Sequence, residues 1–465
     1  MTTTSTLGMP ARQRPRSLRP LLLRLHFYAG VFVGPFLLVA AITGLLYAVI
    51  PQIDEAVYRH ALSVDQVGEQ RLPLAEQIGA ARAAHPEGVV QRIGPPDSAD
   101  GTTRVVLAVD DVPPDYARTV FVDPYSGEIR GVLTTYGQWL PVRAWFDELH
   151  RDLHLGALGR NYSELAASWL TVIALAGLAL WYLHRRDTRK LRRIALPDRD
   201  EKGRRRTLSW HGAVGVWIMV ALLGLSVTGI TWSRYGGETV NLLQERLNTA
   251  APSVDTALTR SHAGVPAGHQ HDVAPAAGGD AMLSSADTAL HAAVDAGLRA
   301  PMWMYPPAHE GQGWQVAENK RDWPTRHDAV SVDPATGAVT DRVDFAEWPF
   351  LAKLTDWAID AHMGVLFGVA NQILLALTAI GLIVVIVRGY LMWWQRRPTK
   401  GSSWAAGRLP VRGALRGLHP AVVTALVVGA AALGWALPLF GLSLLAFVIA
   451  DVVVAKVKKY RAPVR

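Results

Sequence analysis

The sequence predicts an all-α polytopic membrane bundle, with four core helices from a parallel tandem repeat plus a C-terminal hairpin, carrying two small α+β external domains. Three observations predict it. The segment from His26 to Gly44 recurs as His211 to Gly229, each copy with His first, Gly fifth (Gly30, Gly215), Thr-Gly last and almost only apolar residues between. With 50% hydrophobic residues in 465 and a mean hydropathy of +0.15, the chain is too apolar for an ordinary soluble enzyme, yet long polar stretches remain. Its formal charge of +8 sits in basic blocks beside apolar runs, a pattern of membrane topology rather than of a nucleic-acid partner.

Residues 1–20 are polar and basic, a cytoplasmic tail. Residues 21–50 form the first span, since a helix needs roughly 20 apolar residues to cross the hydrocarbon. The run is too long for a secretory signal, and its copy at His211 lies where no signal can be, so an uncleaved span is expected. Residues 51–141 form the first external domain: a helix from Leu72 to Ala84, strands around Val89, Val105 and Val120, and a tight turn at Asp123-Pro124-Tyr125-Ser126-Gly127. An interfacial segment at 142–164 opens with amphipathic Val142 to Leu155, and 165–184 is the second span. The loop 185–209 is cytoplasmic by the positive-inside rule, because eleven Lys or Arg fall between His184 and Arg206.

The third span is 210–232. Residues 233–361 hold a linker, Ser253 to Asp280, then a second external domain on the first one's plan, with a helix at Ala286 to Gly297 and the turn Asp333-Pro334-Ala335-Thr336-Gly337. The fourth span with its lead-in is 362–395, a cytoplasmic loop follows at 396–419, and 420–455 is a hydrophobic hairpin broken near Pro438, spanning or re-entrant. Both repeats start on the cytoplasmic side, as do both termini.

The absence of Cys excludes disulfides, iron–sulfur clusters and covalent c-type haem, so a redox metal must be held by His, Met or oxygen. Six of the fifteen His fall near the membrane. His26, His184 and His211 belong to the cytoplasmic ends of spans; His150, His154 and His362 belong to the external side, with His154-Leu155-Gly156 matched to His362-Met363-Gly364. Any one alone reads as an interfacial histidine, but repeated imidazoles within a bilayer point to ligands, and facing helices can ligate haem iron axially. The expected pairing is His26 with His211 and His154 with His362, two haems near opposite faces of a layer roughly 30 Å thick, with His150 and His184 as alternates. Gly30, Gly215, Gly156 and Gly364 would let a flat macrocycle approach, or serve close helix packing. Arg388, and less tellingly Arg24, Arg185 and Arg206, would neutralise haem propionates, or mark span ends by topology alone, with Arg388 snorkelling. His262, His269 and His271 lie in the linker without helical spacing and read as linker composition. No P-loop, dinucleotide fingerprint or His-Glu-x-x-His occurs.

The two His-x3-Gly-x12-Thr-Gly spans, the Asp-Pro-x-[Ser/Thr]-Gly turns at 123 and 333, and the Leu-His-Leu-Gly and Ala-His-Met-Gly segments at 153 and 361 carry a resemblance to the PepSY-associated transmembrane proteins, over about residues 20–398. The resemblance implies PepSY-like external domains, a bacterial inner-membrane location with those domains periplasmic or extracellular, and a tie to iron uptake, some members being dihaem reductases of ferric siderophores. The expected function is a haem b electron-transfer protein that takes electrons from a cytoplasmic donor and reduces an external ferric siderophore or chelate. The alternative is a non-catalytic PepSY membrane protein that binds or regulates a peptidase or transporter. A permease is third, without the broken central helices it would need.

Overall fold

The computed structural model describes residues 18–258, 280–396, 415 and 418–460. Most of the expected tail, most of the linker with His262, His269 and His271, and most of the 396–419 loop lie outside them. In chain order the elements are α1 (Arg19–Tyr47), α2 (Ile50–Val57), α3 (Arg59–Leu62), α4 (Leu74–Ala84), β1 (Val89–Gly94), β2 (Thr103–Ala108), β3 (Tyr116–Val122), β4 (Ile129–Tyr136), α5 (Pro141–Asp152) and α6 (Gly156–Asp187). The second half continues with α7 (Gly203–Thr231), α8 (Arg234–Arg246), α9 (Asp280–Leu283), α10 (Ala286–Asp295), β5 (Met302–Tyr305), β6 (Trp314–Glu318), β7 (Ala329–Val332), β8 (Val339–Val343), α11 (Phe350–His362), α12 (Gly368–Trp394), α13 (Pro420–Ala436) and α14 (Pro438–Tyr460). Among the described residues four helices, α1, α6, α7 and α12, are long and apolar enough to cross a membrane.

The chain divides into two compact units. The first comprises residues 1–39, 161–236 and 380–465 and is helical. Ala29, Val33 and Leu37 of α1 pack with Trp169 and Leu170 of α6, Ile218 and Leu222 of α7 and Phe440 of α14. Pro35 inside α1 has no N–H for the Val31 carbonyl, and Tyr390 Oη of α12 donates to that oxygen at 2.7 Å, so a neighbouring helix satisfies the group that the proline frees. α6 starts at Gly156, well before the apolar run at Leu165, because its polar first turns have partners: Tyr162 Oη donates to the Phe36 carbonyl at 2.8 Å, and buried Glu164 accepts from Tyr235 N and Gly236 N at the start of α8.

The second unit, residues 40–160 and 237–379, corrects the expected fold class. The chain is not an all-α bundle carrying two small separate domains. β1 to β8 form one eight-stranded antiparallel sheet in the order β4-β3-β2-β1-β5-β6-β7-β8, with Ile93 of β1 opposite Met304 of β5. The physical reason is edge closure. Each half is a four-strand meander whose first strand would present unpaired N–H and C=O groups, and pairing the two first strands removes both edges at once. The cores merge as well: Leu74, Ile78 and Ala81 of α4 and Ala286, Ala289 and Ala293 of α10 share a cluster with Val105, Val120, Met304, Trp314, Val330 and Val332.

The second half also caps a helix of the first. α4 begins after Pro73 with no local side-chain cap, and the Asp287 carboxylate on α10 accepts from Leu74 N at 2.6 Å and Ala75 N at 3.0 Å. Asp287→Ala is expected to cost about 1 kcal/mol, seen as a lower thermal midpoint by tryptophan fluorescence; an unchanged midpoint would refute the capping role. The repeated turns are alike in detail. Asp123 Oδ1 accepts from Tyr125 N at 2.8 Å ahead of Gly127 at φ +76°, and Asp333 Oδ1 accepts from Ala335 N at 2.8 Å ahead of Gly337 at φ +71°.

Candidate functional site

Each unit holds one pair of facing imidazoles. In the first, His26 near the start of α1 and His211 on α7 lie with ring centroids 6.1 Å apart and planes at 81°. Their surroundings repeat. His26 Nδ1 donates to the Ile173 carbonyl of α6 at 2.9 Å, and His211 Nδ1 donates to the Val385 carbonyl of α12 at 2.9 Å. A carbonyl only accepts, so Nδ1 carries the proton in each ring and the neutral Nε2 keeps a lone pair for a ligand. One turn beyond each carbonyl is a glycine against the ring: a Cβ on Gly177 would meet His26 Cε1 at 2.8 Å, and one on Gly389 would meet His211 Cε1 at 3.7 Å. One turn after each histidine, Gly30 and Gly215 face open space, where a side chain on either residue would stand.

In the second unit His150, in the last turn of α5, lies beside His362, the last residue of α11, with centroids 6.4 Å apart and planes at 68°. The Thr43 hydroxyl of α1 donates to the Ala40 carbonyl at 3.1 Å and so accepts from His150 Nδ1 at 2.9 Å, which again leaves Nε2 unprotonated. A Cβ on Gly44 would meet His150 Cε1 at 3.1 Å. The Thr-Gly that closes the first copy of the repeated segment is thus the seat of a histidine from another helix. Burial pushes His362 down to about 3, with His150 beside it adding to the effect, and burial lowers His150, so both rings are neutral near pH 7.

The structure brings His150, not His154, to His362. His154 follows the left-handed cap Leu153, is itself at φ +56°, has a side chain 30% exposed, and turns its Nδ1 to Glu148 at 3.0 Å and its ring to Trp145 at 4.9 Å. One common spacing relates His150 to His362, Gly156 to Gly368, Ile173 to Val385 and Gly177 to Gly389, so the register that set His154 against His362 is one helical turn out. Gly156 and Gly368, both at φ +54°, are the matched first residues of α6 and α12, whereas Gly364 packs near Leu375 and Gln372. His184 stacks on Trp181 at 5.5 Å and 23° rather than joining His26.

Two of the arginines have protein partners: Arg24 pairs with Asp451 of α14, and Arg185, fully buried, bonds Asp198 at 2.7 Å and the Leu196 carbonyl at 2.6 Å. Arg206 is exposed. Arg388 lies over the Trp210 ring at 5.5 Å, and no carboxylate pairs with it among the described residues. Residue-level reading missed Gly177, Gly389 and the carbonyls of Ile173 and Val385; ungapped comparison at the common spacing finds the first two.

The pairs fit haem on chemical grounds. With centroids 6.1 and 6.4 Å apart, the two rings of each pair would be able to hold one metal ion between them, His26 with His211 and His150 with His362. Among the described residues neither pair has a third His, Asp or Glu within ligating reach, so the rest of a coordination sphere would come from the ligand, as a porphyrin provides. Gly30 and Gly215 present no side chain beside the first pair, and a Cβ on either would meet nothing within 4 Å.

No curated protein matches the chain. Residues 23–396 match the family model described as PepSY-associated TM region, a stretch that runs from the start of α1 to the end of α12 and takes in both histidine pairs and the whole sheet. The protein therefore belongs to the PepSY-associated TM region family and is a membrane protein of that family.

Proposed function

We propose that this protein is a haem b-containing electron-transfer protein of a bacterial inner membrane that reduces an external ferric siderophore or ferric chelate with electrons from a cytoplasmic donor. The observation that carries the reading is the recurrence of one ligand arrangement: two imidazole pairs at 6.1 and 6.4 Å, three of the four rings with Nδ1 engaged and Nε2 left as the donor. His26 and His211 would hold one haem, and His150 and His362 the other. When bound, haem supplies a one-electron Fe(III)/Fe(II) couple. The chain's own part is to fix ring orientation through the carbonyls of Ile173 and Val385 and the hydroxyl of Thr43, to keep His150 and His362 neutral, and to exclude water by burying the rings. Reduction of a ferric chelate by one electron needs no nucleophile or general base, which agrees with the absence of catalytic motifs from the sequence.

The test is an absorbance spectrum of the purified protein before and after dithionite. A Soret band that shifts on reduction, with two haems per chain by pyridine extraction, is the expected result. A colourless protein without extractable haem would overturn the reading in favour of a PepSY membrane protein that binds or regulates another protein.

A further inference from the structure

A second cluster of ligand atoms lies in the sheet-bearing unit, its last member two residues before His362 on the same helix. Asp356 and Asp360 are one turn apart on α11, and His327 precedes β7. The segment carrying His327 is tied to the helix by Trp357 Nε1, which donates to Thr325 Oγ1 at 2.8 Å. One ligand atom from each of the three residues lies within 4.8 Å of the other two. Among the described residues this is the one such group of three.

The cluster is more than a gathering of charges. His327 Nε2, Asp356 Oδ2 and Asp360 Oδ2 are all buried without a hydrogen-bond partner. His327 Nε2 and Asp356 Oδ2 are 3.1 Å apart yet are not aligned for a hydrogen bond. The Asp360 side chain is 0% exposed. An ion pair between His327 and Asp356 would still leave the Asp360 oxygen orphaned, and a buried unpaired carboxylate oxygen is costly. A cation among the three satisfies all of them at once.

The surroundings suit a metal ion. Arg321 pairs with Asp360 through Oδ1, its Nε at 2.7 Å, which orients the carboxylate and leaves Oδ2 free to ligate. Two carboxylates, Asp356 and Asp360, face the single guanidinium of Arg321 here. His327 is walled by Phe345 at 5.0 Å and stacks on Trp348 at 5.8 Å and 27°, which fixes the ring plane. One imidazole and two carboxylates form a borderline nitrogen and oxygen donor set of the kind that takes divalent first-row metals such as Zn²⁺, Mn²⁺ or Fe²⁺, with water completing the sphere.

We propose that His327, Asp356 and Asp360 bind a divalent first-row transition-metal ion. The site shares no ligand with the paired histidines and stands whether or not those hold haem. Zinc chloride titrated calorimetrically into the full-length protein tests it, in a background with His262, His269 and His271 changed to Ala to remove competing imidazoles. The expected result is one Zn²⁺ per chain, affinity falling at least roughly tenfold in His327→Gln and in Asp356→Asn, and binding unchanged in the His150→Ala/His362→Ala double variant. On the unsubstituted chain, Zn²⁺ should also protect His327 from diethylpyrocarbonate, read by peptide mass spectrometry, a measurement independent of any variant's folding. No bound zinc, equal affinity in the ligand variants, loss of binding in the double variant, or unprotected His327 would overturn the assignment.

Discussion

His150→Ala is expected to remove one haem and His154→Ala to remove none. His150 faces His362 at 6.4 Å and is held by Thr43, whereas His154 is turned to Glu148 and Trp145. Pyridine extraction should give about half the parental haem for His150→Ala and for His362→Ala, and the parental amount for His154→Ala. Haem loss in His154→Ala with retention in His150→Ala would refute the pairing while leaving a haem protein. This experiment therefore separates the choice of ligands from the presence of the cofactor.

The second large effect is expected at two glycines that look equivalent in the repeat but are not equivalent in space. A methyl on Gly177 would meet His26 Cε1 at 2.8 Å, inside any contact a real Cβ makes, and the ring cannot yield without losing its bond to the Ile173 carbonyl. A methyl on Gly389 would meet His211 Cε1 at 3.7 Å, an ordinary van der Waals contact. Gly177→Ala should cost about 1–3 kcal/mol and weaken the spectrum of the His26–His211 haem, as overpacked interiors do. Gly389→Ala should be neutral, or slightly stabilising through helix propensity. Thermal midpoints and reduced-minus-oxidised spectra of the two variants decide it, and equal behaviour would sink the argument.

Much of the membrane part was legible in the sequence because its signals are local. An apolar run of the right length and a basic flank identify a span one segment at a time, and the four long helices are where those signals put them. The pairing of His26 with His211 was also legible, since the two copies of the segment share His, Gly and Thr-Gly positions. What was hidden is long-range. The closure of β1 on β5 joins residues far apart in sequence, and nothing in the alternation of either strand says which edge will meet it. The His154 register failed for a different reason. A Leu-His-x-Gly pattern draws the eye to a short match, whereas the rigid spacing shared by Trp145 and Trp357, Gly156 and Gly368, and Trp181 and Trp393 sets His150 against His362. The cluster of His327, Asp356 and Asp360 was invisible because its imidazole comes from a loop.

The seam between β1 and β5 also has a consequence in time. Ile93 is made long before its partner Met304, and at roughly 5–20 residues per second synthesis of the intervening chain takes tens of seconds. During that interval the first four strands keep an open edge and α4 lacks the carboxylate of Asp287 at its N-terminus. The nascent first half is thus a half-sheet waiting for its complement. A ribosome stalled inside the linker would leave that edge exposed to any other strand within reach.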